Sequence, residues 1–272
     1  MGAAWYSGST LLGVMLGAHP SIFYAGEATK TLVFDDPSAP LGKRVFRLCG
    51  PGCVVWGDLR VEPGEDLYEM LSRRTRRPIV FDSTKDISWI KRQVAALRDV
   101  VPLRLIVLTR DGRAVVNSRL RKRQPEASAR EHTVAWVTQM RGIEELASHW
   151  PGSVHRVPYE ELTSRPEPTL RALADFLGVA FDPAMLDPWN SDQHPLGGND
   201  GPLLLLLRER ACSIVTGVIT PEDRTRDWYG AHPRGIVLDL RWKRDLSLDE
   251  LAVFEEIAGE TNRAYVWEET VE

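Results

Sequence analysis

Four short stretches of this sequence carry side chains whose types and spacing suit the handling of anions. Near the start, Gly2-Ala-Ala-Trp-Tyr-Ser-Gly-Ser-Thr-Leu-Leu12 sets small residues ahead of Gly8-Ser9-Thr10. An apolar helical run, Leu11 to Leu16, follows and stops at Gly17-Ala-His-Pro20. Gly8 allows close backbone approach, and the amides of a helix start, with the hydroxyls of Ser9 and Thr10, make an anion site by geometry and dipole. The same residues also read as a turn that merely caps a core helix. A nucleotide-hydrolysing loop would read G-x-x-x-x-G-K-[ST], whereas Ala3 stands at the first glycine and Ser9 at the lysine.

The other three stretches offer charge. Phe81-Asp-Ser-Thr-Lys85 brings a lysine to the end of an apolar run, as a cleft cation or as an ordinary surface residue. In Leu108-Thr-Arg-Asp-Gly-Arg-Ala-Val-Val-Asn-Ser118, Arg110 ends a buried strand, where its guanidinium suits bidentate capture of a phosphate. Between Arg104 and Arg123 seven basic residues stand against the single acid Asp111, a bias that elsewhere marks a solvated helix face. In Ala25-Gly-Glu-Ala-Thr-Lys30, Glu27 is expected in the first turn of a helix, where an acid is favoured by the dipole; the alternative role is a general base beside the anion loop.

The elements that must position these groups alternate. Pro78–Asp82, Leu103–Thr109 and Val154–Val157 read as strands; Ile87–Leu97, Arg113–Arg123, Ala129–His149 and Pro166–Leu177 read as helices. Strands separated by long helices need crossovers, which predicts an α/β protein with a mostly parallel sheet flanked by helices. In such sheets ligands bind at the carboxyl ends of strands, where all four stretches fall. Pro188 to Pro202 reads as loop. Leu246 to Val266 reads as helix, with Ser247 and Glu250 forming a capping box. Residues 203–233 are ambiguous, a lid or insertion in one domain spanning 1–272.

With 272 residues, 43% hydrophobic and 26% charged, the chain can bury a core without staples. Cys49, Cys53 and Cys212 are too few for a disulfide framework, and the first two supply only half of a zinc site; reduced thiols in a cytoplasmic protein are the simpler expectation. A net charge of −4 argues against a general nucleic-acid binder, and no apolar run approaches the length of a membrane span. Trp56, Trp89, Trp136, Trp189 and Trp228 suit the core better than an acceptor pocket.

Taken in order, Ser7–Leu12 with His19-Pro20, Gly26-Glu27, Asp82–Lys85, Arg110–Ala114 with Ser118, and Tyr159-Glu-Glu-Leu162 resemble the 3′-phosphoadenylyl sulfate (PAPS)-dependent sulfotransferases. Phe176-Leu-Gly178 and Gly197-Gly-Asn199 before Arg241-Trp242 extend the likeness, which is nearest to bacterial members and the protein-tyrosine sulfotransferase branch. The resemblance implies a P-loop-like three-layer fold and metal-free, in-line transfer of a sulfuryl group from PAPS, leaving PAP, to a hydroxyl or amine of a small molecule, glycan or natural product. It implies that Tyr6, Ser7, Gly8, Ser9, Thr10 and Leu11 hold the 5′-phosphosulfate and that Arg110 and Ser118 hold the 3′-phosphate. Tyr159, Asn199 and Arg241 fall at further nucleotide contacts, Glu27 at the general base and Lys85 at the cation beside the transferred group. Two departures stand out: Tyr6 replaces the family's usual Arg or Lys before Ser-Gly, and the first strand is short. A P-loop nucleotide kinase and a PAP-binding protein with weak or no catalysis are the alternatives.

Overall fold

The computed structural model describes residues 1–33, 36, 38, 52–59, 66–122, 127–209 and 235–267. Its strands are β1 (Gly2–Ala3), β2 (Ile22–Gly26), β3 (Ile79–Asp82), β4 (Arg104–Thr109) and β5 (Ser153–Pro158). The helices are α1 (Ser9–Gly17), α2 (Leu67–Thr75), α3 (Ile87–Leu97), α4 (Gly112–Arg121), α5 (Ala129–Ser148), α6 (Tyr159–Ser164), α7 (Pro166–Leu177), α8 (Asp200–Glu209), α9 (Trp242–Asp245) and α10 (Leu248–Asn262). Every strand pair among the described residues is parallel, in a three-stranded sheet ordered β1-β4-β5 and a two-stranded sheet of β2 and β3.

The chain divides into two compact units. One comprises Met1–Ser9, Ile87–Leu177 and Ile236–Glu272; the other comprises Thr10–Asp86 and Gly178–Gly235. In the first, β4 is buried from Leu105 onward, as its unbroken Leu-Ile-Val-Leu run requires of a central parallel strand. Short as it is, β1 pairs with Val107 and Leu108 of β4. Trp136 on α5 is fully buried against Phe254 of α10 and Tyr265. The Ser247–Glu250 capping box forms in both directions, and α10 ends at Asn262, short of the expected Val266. Asn262 turns inward, its Oδ1 accepting from the Gly112 amide at 2.7 Å.

In the second unit, β2 is buried along its whole length. Gly13 of α1 has no room for a side chain, since a Cβ there would lie 2.2 Å from the Tyr24 ring. Cys53 is buried with its thiol 3.5 Å from His194 Nδ1, and the Trp56 indole donates to the His194 carbonyl at 2.6 Å. Trp56, Trp89, Trp136 and Trp189 are all buried, as core residues should be. Cys49, Cys212 and Trp228 lie outside the described residues.

Two expectations need correction. Glu27 does not lie in the first turn of an α-helix; it precedes a 3-10 turn, Ala28–Val33, whose Lys30 amide donates to the Glu27 carbonyl. The loop expected to run to Pro202 ends at Asn199, because the Asn199 side chain accepts from the Gly201 amide and starts α8. That helix takes in 203–209 of the ambiguous stretch; 210–233 lie outside the described residues. No helix among the described residues is long and apolar enough to cross a membrane.

Candidate functional site

In the first unit the anion-loop residues and Arg110 come together. The backbone turns sharply at Tyr6, with φ 69°, and at Gly8, with φ 90°. Gly8 cannot be exchanged for a larger residue, since a Cβ would lie 2.4 Å from the Tyr159 ring. Tyr159 opens α6 directly after β5, so its ring sits at the carboxyl end of the sheet. The Arg110 guanidinium stacks on that ring, 4.2 Å from its centroid, and Nη1 donates to the Tyr6 carbonyl at 2.9 Å. Arg110, Tyr159 and the Tyr6–Gly8 turn are therefore one packed group.

Two buried polar atoms of this group, Ser7 Oγ and Arg110 Nε, have no hydrogen-bond partner among the described residues. Buried polar groups are rarely left unpaired, and both these atoms can donate, which suits an anion. Ser9 begins α1 and is buried with Ser7. Ser118 lies two turns into α4, its hydroxyl donating to the Ala114 carbonyl at 2.9 Å. Tyr6 meets cations from outside the loop: Lys122 Nζ lies 5.5 Å from its ring centroid. Arg241 packs in the same unit and donates to Asp239, from Nε at 2.6 Å and Nη2 at 2.7 Å. Asp239 also faces Arg110, 3.3 Å from Nη2, and its carbonyl accepts from that same nitrogen at 3.1 Å.

In the second unit Glu27, Lys85 and Lys30 form a cluster. Lys85 Nζ lies 3.1 Å from Glu27 Oε1, and Lys30 Nζ lies 3.3 Å from Oε2. The seat of Glu27 comes from neighbouring segments. Its amide donates to the Leu196 carbonyl at 2.7 Å, and the Leu196 amide donates to Ala25 O at 2.9 Å. Gly26 makes this exchange possible: with φ 77°, a Cβ would strike the Leu196 backbone at 2.3 Å. Asp82 Oδ1 accepts from the Ala28 and Thr84 amides, and Ser83 Oγ donates to the Gly26 carbonyl. Gly197, with φ 64°, leaves room for the Lys30 stem, and the Asn199 amide donates to Thr10 Oγ1 at 2.8 Å. Leu11 continues α1 from Thr10, half-buried.

Burial alone would raise the pKa of Glu27, yet Lys85 and then Lys30 outweigh it, and the carboxyl is held below the usual range. It is an anion at neutral pH. Tyr24, fully buried beneath this cluster with its hydroxyl 3.1 Å from Ser83 Oγ, is pushed well above the usual phenol range by burial, and so is neutral. The sequence singled out Glu27 and Lys85; it gave Asp82 no role of its own and missed Leu196 and Asp239. Asp82 had a visible signal, an acid ending a strand beside the chosen lysine. Leu196 acts through its backbone, which residue type does not announce, and Asp239 meets Arg110 only through tertiary contact.

A family model for the sulfotransferase family matches residues 68–183. Protein-tyrosine sulfotransferase 2 of Gallus gallus is 26% identical over 247 residues, covering 86% of this chain and 63% of its own length. The chain spans under two thirds of that curated relative's length. Its fold matches the sulfotransferase domain from the Curacin biosynthetic pathway, with TM-score 0.61 and 21% identity over 98% of this chain and 96% of that one. It also matches the sulfotransferase domain from the Synechococcus PCC 7002 olefin synthase, with TM-score 0.53 and 22% identity over 93% and 90% of the two chains. The segment matched by the family model holds Lys85, Arg110, Ser118 and Tyr159, while the Tyr6–Thr10 loop and Glu27 precede it.

Proposed function

We propose that this chain transfers a sulfuryl group from PAPS to a hydroxyl or amine of a small-molecule, glycan or natural-product acceptor, as a cytoplasmic enzyme. The observation that carries the reading is the packed group of Arg110, Tyr159 and the Tyr6–Gly8 turn, with buried donors unpaired at Ser7 and Arg110. These residues fit a nucleotide anionic at two ends. On this reading Tyr6, Ser7, Gly8, Ser9, Thr10 and Leu11 serve the 5′-phosphosulfate, while Arg110 and Ser118 serve the 3′-phosphate. Tyr159 supports the guanidinium through its ring, and Arg241 and Asn199 complete the binding residues.

When bound, PAPS supplies the electrophilic sulfuryl group and departs as PAP. Glu27, already ionised, takes the acceptor's proton onto its carboxylate as the acceptor oxygen or nitrogen bonds to sulfur. Lys85, only 9% exposed, keeps a fixed positive charge beside Glu27. Such a preorganised cation stabilises charge without the solvent reorganisation that water would need. Ser9, standing where a kinase loop carries lysine, counts against phosphoryl transfer from ATP. The decisive measurement is isothermal titration of the full chain with PAP. Saturable binding at micromolar to millimolar concentration is expected, and no heat at millimolar PAP overturns the proposal.

A further inference from the structure

We propose that Asp239 sets how strongly the nucleotide's 3′-phosphate is held, by acting as a built-in anion on the arginines that would otherwise serve that phosphate. The inference rests on the functional reading above and goes beyond it, because Asp239 belongs to no motif of the resemblance.

Three observations carry it. First, Arg110 and Arg241 converge on one carboxylate: Oδ2 lies 3.3 Å from Arg110 Nη2, and Arg241 adds a two-pronged pair at 2.6 and 2.7 Å. Planar guanidinium groups pair with carboxylate and phosphate through the same fork of donors, so the two anions compete for the same atoms. Second, the pairing is sheltered. The Arg110 side chain is 6% exposed and that of Asp239 is 22% exposed, so solvent and salt screen it weakly. Burial alone would raise the Asp239 pKa, but Arg241 and Arg110 hold the carboxyl far below the usual range, so its charge is fixed at physiological pH. Third, the segment is pinned on Arg110 by backbone as well. The Asp239 carbonyl accepts from Arg110 Nη2, and Tyr159 Oη donates to the Val237 carbonyl at 3.4 Å. Yet Arg110 Nε stays buried with no partner among the described residues.

The charge arithmetic is simple. Two arginines present +2, and Asp239 lowers the cluster to +1. A 3′-phosphate therefore meets half the positive charge that the arginines alone would offer, and part of its attraction goes into displacing the carboxylate. A nucleotide without that phosphate is indifferent to the competition.

The test is isothermal titration of the full chain and Asp239→Asn with PAP and with AMP, which lacks the 3′-phosphate. Asparagine keeps the shape and removes the charge. The expected result is PAP binding about tenfold tighter in Asp239→Asn, with AMP binding changed less than twofold. Unchanged or weaker PAP binding overturns the inference, and so does equal tightening toward both nucleotides. If the unsubstituted chain binds PAP and the variant gains nothing, this inference alone falls. If neither protein binds PAP, the functional reading falls with it. Thermal unfolding of Asp239→Asn separates misfolding from lost competition: a folded variant without the gain counts against the role. Should that variant fail to fold, Asp239→Ser is titrated in its place, with the same two outcomes deciding.

Discussion

At the scale of single residues, the proposed reaction would rest on a carboxylate held between two ammonium groups. Glu27→Gln removes the proton acceptor while keeping a side chain of the same size between Lys85 and Lys30. Turnover should fall by about 10²–10⁴, the usual contribution of a general base, with PAP affinity within twofold. Transfer assays and calorimetry on one preparation would check both, and a normal rate would clear Glu27 of the role. The sequence singled out Glu27, Lys85 and Arg110 by type and by position after a strand, and the structure pairs Glu27 with Lys85 and buries Arg110. The basic stretch was less transparent. It reads as a solvated face, yet Arg110 and Arg119 are buried, Arg113 pairs with Asp111 and stacks on Trp242, and Arg121 pairs with Asp245. Asp239, Trp242 and Asp245, each more than a hundred residues away, meet Arg110, Arg113 and Arg121, and local composition holds no trace of them.

At the scale of elements, the helices and strands were legible because their apolar periods are strong. Helix α3 and helix α7 fall on the expected residues, and the Ser247 box starts α10 as its sequence says. What could not be read is the irregular backbone that seats Glu27. Leu196 joins the end of β2 as an isolated bridge, in a stretch whose Gly, Asn and Pro content signals only loop. That bridge makes Gly26 the most demanding glycine of the site. Gly26→Ala would put a methyl 2.3 Å from the Leu196 carbonyl oxygen at a left-handed φ. The cost is about 1–2 kcal/mol of backbone strain together with about 1–3 kcal/mol of overpacking. A fall in Tm of several degrees is expected in calorimetry, and an unchanged Tm would mean that the bridge contributes nothing to the fold.

At the scale of the whole molecule, the ionised groups give stability a sign against acid. Glu27, Glu144 and Asp239 have folded-state pKa values below their unfolded ones, so their contribution is full above the ordinary carboxyl range and is lost as pH falls through the folded values. Glu160, pushed up by burial, has the opposite sign and offsets part of the loss. The lowered carboxyls outnumber the raised one, so the Tm should drop steadily below about pH 4 in scanning calorimetry. A flat Tm over that range would contradict these assignments. The division into two units has a further meaning for protein engineering. Each is stitched from separated stretches, and the Gly26–Leu196 bridge ties 10–86 to 178–235. A chimera that borrows the Glu27-bearing stretch from a cousin must therefore import both lengths in one exchange; a single-block transplant would leave the acid without its backbone anchor.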